Sequence, residues 1–141
     1  MFQTLAFYAT TFHRDFAAYT TARLQKLGLS FGLLFPLIYV GKHPGCTQAE
    51  LTSALGLDWG YSQRSIARLV EGGFLTRESG RAYCLNLSEK GQEAFGLSHQ
   101  VFFDWDEMVL SALAPEEREQ LISLLTKIKR KEKEVKCTKQ Y

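Results

Sequence analysis

Residues 44–57 read Pro44-Gly45-Cys46-Thr47-Gln48-Ala49-Glu50-Leu51-Thr52-Ser53-Ala54-Leu55-Gly56-Leu57, and the fold turns on them. Thr47-Gln48-Ala49-Glu50 is a capping box: the threonine hydroxyl and the glutamate carboxylate can each satisfy an orphan backbone N–H at a helix start. The short helix that follows ends at Leu55-Gly56, and Leu55-Gly56-Leu57 has the length and the glycine of a turn between two crossing helices. Asp58 is placed to cap the next helix, which runs to Glu71 and stops at Gly72-Gly73.

Downstream, Leu75-Thr76-Arg77 and Ala82 to Leu87 are strand-like runs around Glu78-Ser79-Gly80-Arg81, a hairpin signal. Ser88 caps a further helix in which Ala94, Val101, Phe102, Trp105, Met108, Val109 and Ala112 repeat at helical period. Pro115 opens a last helix with Leu121, Leu124, Leu125 and Ile128 on one face. Upstream, Leu5, Tyr8, Phe12, Phe16, Tyr19, Leu24 and Leu27 predict one long amphipathic helix over 5–27, stopped by Gly28. Ser30 caps a second, running to about Val40 and closed by Gly41 and Pro44-Gly45, with a bend expected at Pro36. A short helix, a tight turn, a second helix and a hairpin make a winged helix-turn-helix. The class is mainly α (α+β), one domain over residues 1–141. Its winged lobe covers 30–91, flanked by helices at 1–27 and 92–136.

The helix after Asp58 carries the chemistry. Ser62, Ile66 and Leu69 form its apolar stripe, leaving Gly60, Tyr61, Arg64, Ser65 and Arg68 on the outer face with Gln63 at its edge. That face suits DNA, because a recognition helix enters the major groove with its N-terminal residues at the base edges. Arg64 can pair with guanine O6 and N7 and Gln63 with adenine N6 and N7, while Arg68, further along, is placed for phosphate. Gly60 would let backbone approach a phosphate, and the Tyr61 hydroxyl could donate to one. Arg77 and Arg81 bracket the hairpin turn, where an arginine can reach a minor groove. With Thr47 and Gln48 at the start of the first helix of the pair, these ten residues are the candidate DNA contacts.

The composition agrees. The chain has 141 residues, 45% hydrophobic and 23% charged, enough for a packed core. Its net charge of +2 is unevenly spread: residues 60–81 carry four arginines against two glutamates, and residues 82–126 carry eight acids against two bases. From Lys127 the tail holds seven bases and two acids, which complement the dipole at a helix end. The apolar run Leu33 to Gly41 contains Pro36 and is too short to span a bilayer, so no membrane partner is expected. Met1-Phe2-Gln3 begins no secretory signal, and three widely spaced cysteines (Cys46, Cys84, Cys137) form no disulfide framework, so a cytoplasmic location is expected. His13, His43 and His99 lack metal-ligand spacing, and no P-loop, nucleophile elbow or acid pair is present. No metal, cofactor or enzymatic activity is expected.

The residues from Ser30 to Gly91 resemble the MarR family of bacterial transcription regulators. The family's Pro-Gly-x-Thr-x-x-Glu-Leu entry stands at 44–51 and its Leu-Gly-Leu turn at 55–57. Its recognition-helix ending matches Leu69 to Gly73 with Phe74-Leu75-Thr76-Arg77, and its wing ending matches Leu87-Ser88-Glu89-Lys90-Gly91. In the wing, Arg81 holds the family's arginine position, but Ser79 stands where an aspartate is usual. The resemblance implies a homodimer with interleaved terminal helices, which the crowding of Phe2, Phe7, Phe12, Phe16, Phe102, Phe103 and Trp105 supports independently. Such a dimer reads a pseudo-palindromic double-stranded operator with half-sites about 10 bp apart, most often as a repressor. The resemblance also implies release by a small, often aromatic ligand, for which Phe12, His13, Phe16, Phe31, Phe35 and Tyr39 are candidate lining. An oxidative signal is the other expectation, through Cys46, whose place before a helix start would favour a thiolate. The alternative is a winged-helix adaptor that binds protein and not DNA; acids on the recognition face would mark it.

Overall fold

A computed structural model describes residues 2–80 and 83–138, with side chains as far as Glu134. It is mostly helical, in the order α1 (Leu5–Leu24), α2 (Phe31–Lys42), α3 (Gln48–Leu55), α4 (Trp59–Glu71), β1 (Leu75–Glu78), β2 (Cys84–Leu87), α5 (Glu89–Val109) and α6 (Pro115–Thr138). The winged helix-turn-helix and mixed class expected from the sequence are what the structure shows. The chain divides into two compact units, Met1–Trp105 and Asp106–Tyr141.

Several expected boundaries move. The first helix is α-helical only to Leu24 and tightens into a 3-10 turn over Gln25–Leu27 before Gly28, at φ 76°. The second runs past Gly41 to Lys42. Glycine is required there for space: a Cβ on Gly41 would lie 2.2 Å from the Phe95 ring of α5. The helix also continues through Pro36, which can donate no hydrogen bond to the carbonyl four residues back, that of Gly32. The hydroxyl of Tyr61 donates to that carbonyl from α4, at 3.3 Å. α5 ends at Val109, three residues earlier than its apolar repeat suggested.

Within the first unit the core is the meeting of α2, α3, α4 and the hairpin. Leu34, Leu37 and Val40 from α2, Leu51 from α3, Ile66 and Leu69 from α4 and Leu85 from β2 are all fully buried. Each such aliphatic side chain stabilises the fold by about 1.5–3 kcal/mol relative to leaving it in water. The capping box forms as expected, Glu50 N–H to Thr47 Oγ1 and Thr47 N–H to Glu50 Oε2, both at 3.2 Å. Gly56, at φ 63°, supplies the left-handed residue that ends α3.

β1 and β2 pair antiparallel, Leu75 opposite Leu87 and Arg77 opposite Leu85. The α2–α3 connection joins the edge of β2 through a single antiparallel bridge. Gly45 N–H donates to the Leu85 carbonyl at 2.9 Å, and Leu85 N–H to the Cys46 carbonyl at 2.8 Å. Gly45 takes φ 81° to deliver that pairing. The start of α5 clasps the end of α4: Ser88 Oγ donates to the Gly73 carbonyl and accepts from Gly91 N–H, and Lys90 Nζ donates to the Gly72 carbonyl at 2.7 Å.

Cys46 needs a correction. It is 3% exposed and belongs to the core. Burial pushes its thiol above the ordinary 9.0, and the Glu50 carboxylate adds to the rise. Burial outweighs the attraction of the helix start, so the thiolate expected from position alone is disfavoured. Cys137 lies outside the described side chains.

In the second unit, α6 starts at Pro115, and Ala114 N–H donates to Glu117 Oε1 at 2.9 Å. Arg118 holds the turn before it, reaching the Leu110 carbonyl at 3.1 Å and Glu107 Oε1 at 2.8 Å. Ile122, Leu124, Leu125 and Ile128 are exposed along α6. Among the described residues, no single helix is long and apolar enough to cross a membrane.

Two outcomes test this packing. A Cβ on Gly91 would lie 1.9 Å from the Phe74 carbonyl oxygen. Gly91→Ala is therefore expected to destabilise the protein by about 1–3 kcal/mol in urea unfolding despite alanine's better helix propensity, and an equal or higher midpoint would refute the close approach. With Cys84 and Cys137 replaced by alanine, Cys46 should react with iodoacetamide at about pH 8 at least about tenfold more slowly in the folded protein than in urea. Equal rates would show a reactive thiolate after all. Since the folded thiol titrates above the unfolded one, its contribution to stability should be lost as pH rises past about 9.

Candidate nucleic-acid interface

α3 and α4 are joined by a part-buried hydroxyl pair. Thr52 Oγ1 donates to the Gln48 carbonyl at 2.6 Å, and Ser62 Oγ lies 2.5 Å from Thr52 Oγ1, where it is left to act as donor. Asp58 caps α4 as expected, accepting the Tyr61 N–H on Oδ2 at 3.0 Å. Ser62, Ile66 and Leu69 are the buried stripe anticipated from their spacing.

The outer face of α4 differs in one important respect. Ser65, expected outside, is 5% exposed. α2 packs against this flank of α4, so the buried arc is wider than the apolar residues alone indicated. Tyr61 sits on the same flank; its hydroxyl is used by Gly32, and its ring stays partly in solvent. Space for the ring comes from Gly32, where a Cβ would approach the Tyr61 oxygen to 2.8 Å. The remaining exposed residues of α4 are Trp59, Gln63, Arg64, Arg68 and Glu71. Gln63 thus stands on the open face and not at its margin. Among the described residues Gln63, Arg64 and Arg68 make no ion pair or side-chain hydrogen bond.

Gly60 is half-buried between two charged neighbours. Arg64 Nη1 and Asp58 Oδ2 lie 3.2 and 3.3 Å from where its Cβ would be. A phosphate brought to the Gly60 backbone would meet that carboxylate, which argues against the phosphate approach expected there. A hollow of about 200 Å³ opens beside the face, lined by Ser30, Gly32, Leu33, Tyr61, Ser65 and the two arginines. It joins the start of α2 to Arg64 and Arg68. The participation of α2 was missed in the sequence; the signal was Pro36, whose freed carbonyl at Gly32 demanded a donor.

The other expected contacts are mixed. Thr47 is half-buried and its oxygen accepts from Glu50 N–H, while the Gln48 amide nitrogen is buried with no hydrogen-bond partner, so it offers no donor to solvent. Arg77 is exposed on β1. Arg81 lies outside the described residues.

The rings expected to line a ligand site mostly come together, and they contact one another. Phe31 meets His13 at 5.4 Å, Phe16 at 5.8 Å and Phe35 at 6.3 Å between centroids, all close to edge-on. α5 adds two rings the sequence reading omitted: Phe102 against Phe16 and Phe35, and Trp105 against Phe12 and Phe16. Their helical repeat was the available signal. Tyr39 contacts His43 at 4.4 Å, and among the described residues no ring contact joins it to the group. Among the described residues no group of three or more His, Cys, Asp or Glu could hold a metal ion.

Residues 37–82 match a family model described as MarR family. Over 143 residues, 99% of each chain, the sequence is 42% identical to the HTH-type transcriptional regulator BilQ of Clostridium symbiosum (strain WAL-14163). The fold is similar to a crystal structure of MarR, at TM-score 0.86 and 22% identity over 99% of each chain. It is also similar to a MarR family regulator from Listeria monocytogenes complexed with a 26mer DNA, at TM-score 0.85 and 19% identity over 92% of this chain and 89% of that one. The family and the curated relatives are transcriptional regulators and not enzymes. With the capped turn, the wing and this full-length likeness together, the chain belongs to the MarR family of transcriptional regulators.

Proposed function

We propose that the protein is a cytoplasmic homodimer that binds a pseudo-palindromic operator and represses transcription. The observation that carries the reading is one exposed face of α4 with Gln63, Arg64 and Arg68 unpaired among the described residues, on a helix pair joined by a hydroxyl contact beside a wing. Side chains that must meet base edges gain from having no partner in the free protein, because no internal bond has to break. Arg64, near the helix start, reads guanine; Arg68, at the rim of the hollow shared with α2, holds phosphate. Arg77 follows the backbone from the wing, and Arg81 is assigned the adjacent groove on the family resemblance alone.

Dimerisation is supported by apolar residues that their own units leave in solvent. Leu5, Tyr8 and Phe12 on α1 are exposed, as are Leu124, Leu125 and Ile128 on α6. A two-fold pair of reading helices then doubles the contacts and sets the half-site spacing. A small aromatic ligand acts through the ring group of α1, α2 and α5. Its entry would part edge-on contacts and shift α2, the helix on which α4 rests, and so change that spacing.

Arg64→Ala should cost about 1–3 kcal/mol at the operator and relax preference at one base pair, whereas Arg68→Ala should weaken all sequences alike and flatten the salt dependence. Fluorescence anisotropy on operator and scrambled duplexes separates the two, and identical behaviour would refute the division of roles. Footprints on the operator should show two symmetric half-sites; a single protected half would refute the dimer. In a Trp59→Phe variant, Trp105 emission should change on titration with aromatic acids at concentrations that release operator DNA. Release with no change in Trp105 would place the ligand elsewhere.

A further inference from the structure

We propose that Asp58 is a specificity residue: its carboxylate, standing across Gly60 from the Arg64 guanidinium, selects a base with an exocyclic amino group in the major groove. The proposal rests on the DNA-reading role of α4 and names what that helix reads. Asp58 Oδ2 is engaged by the Tyr61 N–H, and among the described residues Oδ1 has no hydrogen-bond partner. Both Oδ2 and Arg64 Nη1 lie within 3.3 Å of one point above Gly60, yet no ion pair of 4.0 Å or less joins the two residues. The start of the recognition helix therefore presents an acceptor and a forked donor side by side, both free to bond outward.

The major groove offers the complement. Guanine shows two acceptors, N7 and O6, and cytosine and adenine show amino groups at N4 and N6. An ionised carboxylate only accepts, so it bonds to an amino group and is repelled by the keto oxygens of guanine and thymine. It also repels phosphate, which would otherwise be drawn to the positive end of α4. Asp58 thus costs affinity on every sequence and recovers it only where an amino group faces it. The glycine between the two side chains leaves the guanidinium room to lie forward over the helix start.

The capping role alone would also explain an aspartate, and asparagine separates the two. Asparagine caps as well as aspartate but both donates and accepts. The full-length protein and its Asp58→Asn, Asp58→Ser and Arg64→Ala variants are each equilibrated with duplexes carrying randomised half-sites, and bound DNA is sequenced. For wild type, one position in each half-site should favour amino over keto bases. In Asp58→Asn that ratio should fall by about tenfold, with affinity for random duplex raised and the melting temperature unchanged. Asp58→Ser, also a good cap, should behave likewise, so a folding defect in one variant does not decide the matter. If both leave every positional ratio within about twofold of wild type while Arg64→Ala relaxes one, Asp58 is a cap only and the inference fails, with the reading role of α4 intact. If wild type itself shows no positional preference, the proposed function fails first.

Discussion

Everything exposed for recognition depends on how α4 is seated against α2. Pro36 sits inside α2 and withholds one backbone hydrogen bond, leaving the Gly32 carbonyl open on the side facing α4. Tyr61 answers it with its hydroxyl. That single bond pins α4 near its start, and the apolar contacts of Ile66 and Leu69 with the core hold the remainder. Together these contacts set which face of α4 is turned inward. The helix buries Ser62 and Ser65 and leaves Gln63, Arg64 and Arg68 outside.

The other contacts extend this constraint into the wing and α5. Gly45 and Cys46 pair with Leu85, so the connection that starts α3 is also an edge of the wing sheet. Ser88 and Lys90 bind the carbonyls of Gly73 and Gly72, and Gly91 lets α5 approach the Phe74 carbonyl. Gly41 admits the Phe95 ring of α5 into α2. α5 is therefore in contact with the reading helix's end and with the helix that seats it. A displacement of α5 or of the rings on it has short routes to α4, and the ligand regulation proposed above would use them.

Electrostatics sharpen the surface in a way net charge does not convey. Arg64 and Arg68 stand free beside a hollow, while Asp58 places a negative charge at the helix start. In the proposed complex the flank of α4 would attract phosphate and its leading end would discourage it. That division favours a helix that enters the groove start first and rests its flank on the backbone.

How much was legible in the sequence depends on the range of the interaction. The capping box at Thr47, the Asp58 cap, the glycine turn at Gly56 and the hairpin are local devices, each complete within a few residues, and the chain spells them out. The order of those devices determined the winged fold and the family. Ser65 and Gln63 could not be placed that way, because serine is small and neutral to burial and only the neighbouring α2 decides which side of α4 is covered. The same holds for Cys46: its position before a helix start is a local fact, but its burial against β2 comes from a strand some forty residues away and reverses its chemistry. The sequence alone determined what kind of reader this protein is. The tertiary structure decided which atoms are left free to read, because burial and backbone satisfaction are set by elements distant in the chain.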